Sequence, residues 1–228
     1  MDIGKYKWLL FDFDNTLVDF HSASVQSFSD LAGEIGLEYT QELYHSYTLH
    51  NNKVWGMYEK GTIDSQTLRR LRFEYFFEEQ QIAFDAAVAH EHYISGLIKY
   101  TVPDAEVTTV LDDLASRHSM AIITNGLREA QRPRLVNSQL RHYFEEVIVS
   151  DEIGLAKPDQ AYFQHSLAQI GGVPPDQCLI IGDSLGSDIL GGMNSGIDTV
   201  WYNPKRLHPH SKIEPTHTIH ALQSLCNV

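Results

Sequence analysis

The residues with the clearest chemical potential lie in Phe11-Asp12-Phe13-Asp14-Asn15-Thr16-Leu17. Two carboxylates, Asp12 and Asp14, stand at positions i and i+2 at the end of a mostly apolar run over residues 7–13. In an extended chain such a pair points the same way. Burying two like charges together is costly unless a cation or hydrogen bonds compensate. The pair therefore reads as metal-binding or catalytic, the plain alternative being a turn with solvated side chains. Three further segments carry the same character. Gly182-Asp183-Ser184-Leu185-Gly186-Ser187-Asp188 follows a second apolar run with two more carboxylates. Ile122-Ile123-Thr124-Asn125-Gly126 ends a third with a hydroxyl and an amide, and Lys157-Pro158 follows a fourth by a short loop.

Groups so far apart in sequence need a scaffold that gathers strand ends. Apolar runs of strand length occur over 7–13 and at Met120–Thr124, Val147–Ser150, Cys178–Gly182 and Asp198–Tyr202. Their near-continuous apolar character is that of strands buried on both faces of a parallel sheet. Helical stripes alternate with them: Val107, Val110, Leu111 and Leu114, then Tyr162, Phe163, Leu167 and Ile170 before Gly171-Gly172. This β-α order predicts an α/β fold, a Rossmann-like open parallel sheet with right-handed crossovers. Such sheets bind ligands outside the carboxyl ends of their strands, and all four polar segments fall on that edge.

The stretch 18–98 lacks strand-like runs. It reads as four helices, Ser24–Ile35, Gln41–Tyr58, Ser65–Glu79 and Phe84–Ile98. Thr40 is the expected N-cap of the second, and Gly61-Thr62-Ile63-Asp64 breaks the second from the third. The expected organisation is a core of residues 1–17 and 99–228 with a helical domain, 18–98, inserted after the first strand.

Composition narrows the partners. Among 228 residues there are 30 acidic and 17 basic ones, a formal net charge of −13, with 43% hydrophobic and 21% charged residues. This is the composition of a globular chain, and one that repels a phosphate backbone, so a nucleic-acid polymer is excluded as a general partner. Cys178 and Cys226 form no zinc or disulfide pattern, and no run approaches a bilayer span. The expectation is a cytoplasmic protein, monomeric or a homodimer, with no membrane partner.

The order Asp-x-Asp-x-Thr, a strand-terminal Thr, Lys-Pro and Gly-Asp-x-x-x-x-Asp is similar to the haloacid dehalogenase superfamily of hydrolases, over the whole core. The inserted helices resemble that superfamily's four-helix cap. The resemblance implies roles that the chemistry supports. Asp12 is the nucleophile that takes a phosphoryl group. Asp14 is the acid for the leaving alcohol and then the base for water. Thr124 and Lys157 hold the phosphoryl oxygens. Mg²⁺ is implied as cofactor, held by Asp12, Asp183 and the backbone carbonyl of Asp14. Asp188 is either a further ligand or a partner that orients Lys157 or a water, with the second role put ahead. A haloacid dehalogenase needs neither the acid at Asp14 nor a metal, which favours a phosphatase. A phosphomutase, a sugar-phosphate phosphatase and a binding protein without turnover stay open.

Residues 51–63, Arg72-Phe73, Thr124-Asn125-Gly126 with Gln131 and Arg134-Leu135, and Ser187–Gly192 with Trp201 resemble one subgroup, the pyrimidine 5′-nucleotidases of the YjjG/YfnB type. This implies a nucleoside monophosphate as the small-molecule partner. Asn51, Trp55 and Arg72 then become candidates to face base or ribose, and Asn125 to join Thr124 and Lys157 on the substrate. Each has a plainer reading. Trp55 suits a helix core, Asn51 a solvated position, and Arg69-Arg70-Leu71-Arg72 a solvated helix face. Tyr75-Phe76-Phe77 reads as packing, and Gly191-Gly192 as close helix–sheet contact. His208, His210, His217 and His220, broken by Pro209 and Pro215, read as a surface loop and a final strand rather than a metal site.

Overall fold

The computed structural model describes residues 2–103, 105–208 and 212–226. Six parallel strands are β1 (Trp8–Phe11), β2 (Ser119–Thr124), β3 (Glu146–Val149), β4 (Cys178–Gly182), β5 (Asp198–Tyr202) and β6 (His217–Ile219). They form one sheet in the order β3-β2-β1-β4-β5-β6. β1 is flanked by β2 and β4, so the strand order reverses at β1. Its register sets Phe11 opposite Ile122 on one side and Ile181 on the other. The Asp12 N–H extends the ladder by donating to the Ile181 carbonyl at 2.9 Å. The carboxyl ends of β1, β2 and β4 are therefore level where the polar segments begin.

The helices are α1 (Phe20–Glu34), α2 (Gln41–Glu59), α3 (Ser65–Gln80), α4 (Ala86–Tyr100), α5 (Ala105–Ala115), α6 (Arg128–Asn137), the single turn α7 (Ser150–Ile153), α8 (Gln160–Gln169) and the short α9 (Leu190–Asn194). The chain divides into two compact units. The sheet unit comprises Met1–Asp19, Val102–Gly126 and Ser138–Val228; the helical unit comprises Phe20–Thr101 and Leu127–Asn137.

In the sheet unit, Val107, Val110, Leu111 and Leu114 of α5 are all buried. A second cluster joins Trp8 and Leu10 of β1 to Ile123, Ile148, Cys178 and Ile180 of neighbouring strands and to Tyr162 and Phe163 of α8. Gly191 and Gly192 let α9 approach this layer. A Cβ at Gly191 would lie 2.2 Å from the Phe163 ring, and one at Gly192 2.4 Å from Thr199 Cγ2. Burial raises the Cys178 thiol to about 12, as for a small core side chain.

In the helical unit, Thr40, Asp64 and Asp85 cap α2, α3 and α4 by accepting from backbone N–H groups of the first turns. Capping by Asp85 places the start of α4 at Ala86, two residues later than the sequence pattern suggested. α1 starts earlier than expected, at Phe20, whose ring lies under the Arg134 guanidinium at 5.4 Å. The interior is aromatic: Phe28 stacks on Tyr47 (centroids 4.9 Å), and Tyr47 on Phe73 (5.4 Å). Ser24 Oγ lies 2.8 Å from the Tyr44 hydroxyl and 2.7 Å from that of Tyr93. A Cβ at Gly96 of α4 would collide with Ser27 of α1 at 2.7 Å, so these helices touch backbone to backbone.

Two parts of the division differ from the one read in the sequence. α4 carries the helical unit on to Thr101, and α6 joins it from within 99–228. α6 packs on α4 through polar side chains. Arg134 is fully buried, donating from Nε to Thr101 Oγ1 at 2.7 Å and from Nη1 to Gln131 Oε1 at 2.6 Å. Near the C-terminus, His208 is exposed, His217 opens β6, and His220 Nδ1 lies 2.7 Å from the Asn203 carbonyl. His210 and Pro209 lie outside the described residues. No helix among the described residues is long and apolar enough to cross a membrane.

Candidate active site

Asp12 stands one residue beyond the wholly buried β1 and is itself buried. Its Oδ1 accepts from Lys157 Nζ at 2.8 Å and its Oδ2 from Thr16 Oγ1 at 3.2 Å. A tight loop returns Thr16 to Asp12. The Leu17 and Val18 N–H groups donate to the Phe13 carbonyl, and the Asn15 N–H to that of Val18. Asn15 adopts φ 60°, a left-handed conformation that asparagine tolerates better than most residues. Asp14, at the mouth of this loop, is half-buried.

Lys157 follows α7 by a short connection, and only 1% of it is exposed. Its ammonium makes three short contacts: Asp12 Oδ1, Asp188 Oδ1 at 2.6 Å and the Ile123 carbonyl at 2.8 Å. Burial disfavours its charge, but Asp12 and Asp188 outweigh that and hold it well above the usual lysine range. Asn125, beside the buried Thr124 at the end of β2, holds the backbone of Lys157 from both sides.

Asp183 and Asp188 follow β4. Residues Leu185–Ile189 form a π-helical turn capped by Ser184, a form found often at functional sites. Asp188 is buried, and its Oδ2 accepts from the Ser184 N–H at 3.1 Å. Gly182 makes room for it, since a Cβ there would lie 2.3 Å from Asp188 Oδ2. Trp201 Nε1 donates to the Asp183 carbonyl at 2.9 Å and fixes the start of this loop.

Carboxylate oxygens of Asp12, Asp183 and Asp188 all lie within 4.8 Å of one another. Burial, and then the charge of Asp188, pushes Asp183 up to about 7. Burial also raises Asp12 well above the usual range, more than Lys157 offsets, with Asp188 and Asp183 adding repulsion. Two carboxylates sharing one ammonium, with a third beside them, remain short of positive charge. A hard divalent cation with oxygen ligands would meet that deficit. Among the described residues this is the one acidic group so arranged.

The structure thus brings Asp12, Asp14, Thr124, Asn125, Lys157, Asp183 and Asp188 to neighbouring strand ends of the sheet unit. Asn51, Trp55 and Arg72 belong to the helical unit. There Arg72 is buried, donating from Nη1 to Asn51 Oδ1 at 3.1 Å and contacting His90 Nδ1 through Nη2 at 3.0 Å. Trp55 is half-buried, edge-on to Tyr58. The basic run does not form one solvated face. Arg70 is exposed, Arg69 pairs with Glu129 of α6, and Arg72 is interior. Thr16 and Trp201 gain site roles that their positions in the sequence motifs flagged without specifying. His90 and Glu129 carried no such signal.

A sheet with this order, and acids and a lysine at its carboxyl edge, defines a class of hydrolase. The chain belongs to the haloacid dehalogenase-like hydrolase family, whose profile matches residues 9–202. It is 34% identical to the pyrimidine 5′-nucleotidase PynA of Streptococcus pneumoniae, over 96% of this chain and 93% of that protein. It is 31% identical to the pyrimidine 5′-nucleotidase YjjG of Escherichia coli, over 97% and 96% respectively. The crystal structure of the putative HAD-hydrolase YfnB of Bacillus subtilis bound to magnesium is similar with a TM-score of 0.87 and 29% identity, over 98% of this chain and 99% of that one.

Proposed function

We propose that the protein is a Mg²⁺-dependent phosphomonoester hydrolase acting on nucleoside 5′-monophosphates, pyrimidine ones above all. The observation that carries the phosphohydrolase reading is the sharing of the Lys157 ammonium by Asp12 and Asp188 beside Asp183. The similarity to PynA and YjjG over nearly the whole chain supports the substrate class.

In this reading an ionised Asp12 oxygen attacks phosphorus, forming a P–O bond to the carboxylate as the bond to the leaving alcohol breaks. Asp14 gives its proton to the departing oxygen, then takes one from the water that attacks the aspartyl phosphate, returning Asp12 and inorganic phosphate. Lys157 and Thr124 hold the phosphoryl oxygens, and Lys157 keeps Asp12 aimed between turnovers. Asp12, Asp183 and the Asp14 carbonyl would hold Mg²⁺, which when bound would supply positive charge to the phosphoryl group and favour the ionised carboxylates. Because Asp188 makes the shortest of the three contacts to the Lys157 ammonium, at 2.6 Å, and is tied to the Ser184 backbone, we assign it to orienting Lys157 rather than to direct ligation. The helical unit supplies the selectivity, with Asn51, Trp55 and Arg72 its candidates for base or ribose. We place the activity in the cytoplasm, in keeping with the free thiols of Cys178 and Cys226.

The test is phosphate release from uridine, thymidine, purine nucleoside and hexose monophosphates with Mg²⁺ and with EDTA. The expected pattern is turnover of the pyrimidine substrates that stops with EDTA and with Asp12→Asn. Faster turnover of hexose phosphates would overturn the substrate class. Undiminished turnover by Asp12→Asn would overturn the mechanism.

A further inference from the structure

Asn125 lies one residue beyond β2, among residues expected to meet the substrate. Its amide is engaged elsewhere. The Lys157 N–H donates to Asn125 Oδ1 at 2.8 Å, and Asn125 Nδ2 donates to the Lys157 carbonyl at 2.9 Å. Both partners are main-chain atoms of one residue, so the amide fixes the root of the lysine and not its tip. The tip is fixed separately, because Nζ donates to the carbonyl of Ile123, two residues before Asn125. Root and tip of a long, rotamer-rich side chain are thus fastened to the same strand end. Between them the buried chain has one course, and it delivers the ammonium to Asp12 at 2.8 Å and Asp188 at 2.6 Å.

We propose that Asn125 is a positioning residue for Lys157, acting on the reaction through that lysine and not through contact with the substrate. What Lys157 does in turnover rests on the phosphohydrolase reading above; the two-point hold on its backbone does not. Displacing a charge by about 1 Å from reacting atoms costs on the order of 100-fold in rate, so releasing the root falls on kcat more than on KM.

Two measurements test this. Amide hydrogen exchange followed by NMR reads the hold without any substrate. The Lys157 amide is expected to be protected in the wild type, exposed in Asn125→Ala, and still protected in Asn125→Asp, which keeps the acceptor but not the donor. Unchanged exchange in Asn125→Ala would overturn the proposal. The second is a double-mutant cycle with p-nitrophenyl phosphate and Mg²⁺. Asn125→Ala is expected to lower kcat by roughly 10- to 100-fold with KM changed less than about threefold. In a Lys157→Met background it should cost nothing further; Lys157→Arg serves where the Met variant does not fold. Losses that multiply would mean that Asn125 touches the substrate itself, and would overturn the proposal. If the wild type hydrolyses no phosphomonoester while the exchange result holds, Asn125 still positions Lys157 and the phosphohydrolase reading fails alone.

Discussion

Lys157 Nζ stands 2.6 Å from Asp188 Oδ1, and the other oxygen of the same carboxylate takes the Ser184 N–H at 3.1 Å. Asp188 therefore ties the lysine of one loop to the backbone of another, on either side of β1. With Asp12 on the same ammonium, one cation balances two buried acids. Removing it leaves both acids uncompensated. Lys157→Met is expected to lower phosphate release at least 100-fold and to lower stability by about 3–5 kcal/mol at neutral pH. Lys157→Arg is expected to recover stability but not turnover, because a planar guanidinium cannot replace a compact ammonium. Denaturant melts beside steady-state kinetics check both halves.

Metal and pH are expected to act on the same acids. In the metal-free protein, burial and Asp188 raise Asp183 from 3.8 to about 7. The folded state then binds that proton more tightly than the unfolded one. The corresponding stabilisation is present below about pH 4 and fades as pH rises through 7. Mg²⁺ binds the ionised acids, so its stabilising effect should grow over the same interval. Thermal melts with and without Mg²⁺ are expected to show a larger Tm increase at pH 8 than at pH 5. Equal shifts at both values would refute the assignment of Asp183 as a ligand.

The helical unit is expected to weaken in acid for a different reason. Arg72 Nη2 donates to His90 Nδ1, so His90 Nε2 carries the proton that faces Glu129 Oε1 at 3.1 Å, and Arg69 forks onto Glu129 at 2.6 and 2.8 Å. Burial, reinforced by Arg72 and Arg69 and opposed by Glu129, lowers His90 below 6.5. Burial alone would raise Glu129, but the bonds from His90 and Arg69 hold it well below 4.5. For both groups the unfolded state binds the proton more tightly. The His90 contribution is therefore full above about pH 6.5 and is lost as pH falls, and that of Glu129 follows below 4.5. His90→Gln is expected to cost about 1–3 kcal/mol at pH 7.5 and to flatten the fall in urea midpoint between pH 7 and 5. An undiminished fall would show that His90 is not its source.

Two glycines should separate packing from chemistry. A Cβ at Gly192 meets Thr199 Cγ2 at 2.4 Å and Ile180 Cδ1 at 2.9 Å, inside the layer between α9 and the sheet. Gly192→Ala is expected to cost about 1–3 kcal/mol. A Cβ at Gly182 meets the carboxylate of Asp188 instead. Gly182→Ala is expected to displace Asp188 and lower kcat at least tenfold. Tm and kcat measured on both variants check the contrast.

β1 to β5 were readable from sequence because each is a short, mostly apolar run, whereas β6, His217–Ile219, buries only Ile219 and carries no such run. Burial on both faces leaves no other pattern to confuse with such a run. The four helices of 18–98 were readable from their period, with Thr40 as the one cap read; the Asp85 cap and the start of α1 at Phe20 were not. Nor was α6. Arg128-Glu129-Ala130-Gln131-Arg132-Pro133-Arg134 looks solvated and carries a proline inside the helix, yet Gln131 and Arg134 are buried through hydrogen bonds that only the fold supplies. The acids and Lys157 were visible as residue types at strand ends. The hold of Asn125 on Lys157 spans 32 residues and joins a side chain to a backbone, and pattern within a segment carries no trace of it.

The placement of α6 bears on whether the helical unit can be treated as an exchangeable cassette. A graft of residues 20–101 alone onto another family member would leave its own counterparts behind. Arg69 and His90 would arrive without Glu129, and Thr101 without Arg134. A chimera must carry both stretches, Phe20–Thr101 and Leu127–Asn137, across together. Any exchange of the helices proposed to select the substrate then involves two separate stretches of sequence, the inserted helices and a distant ten-residue helix.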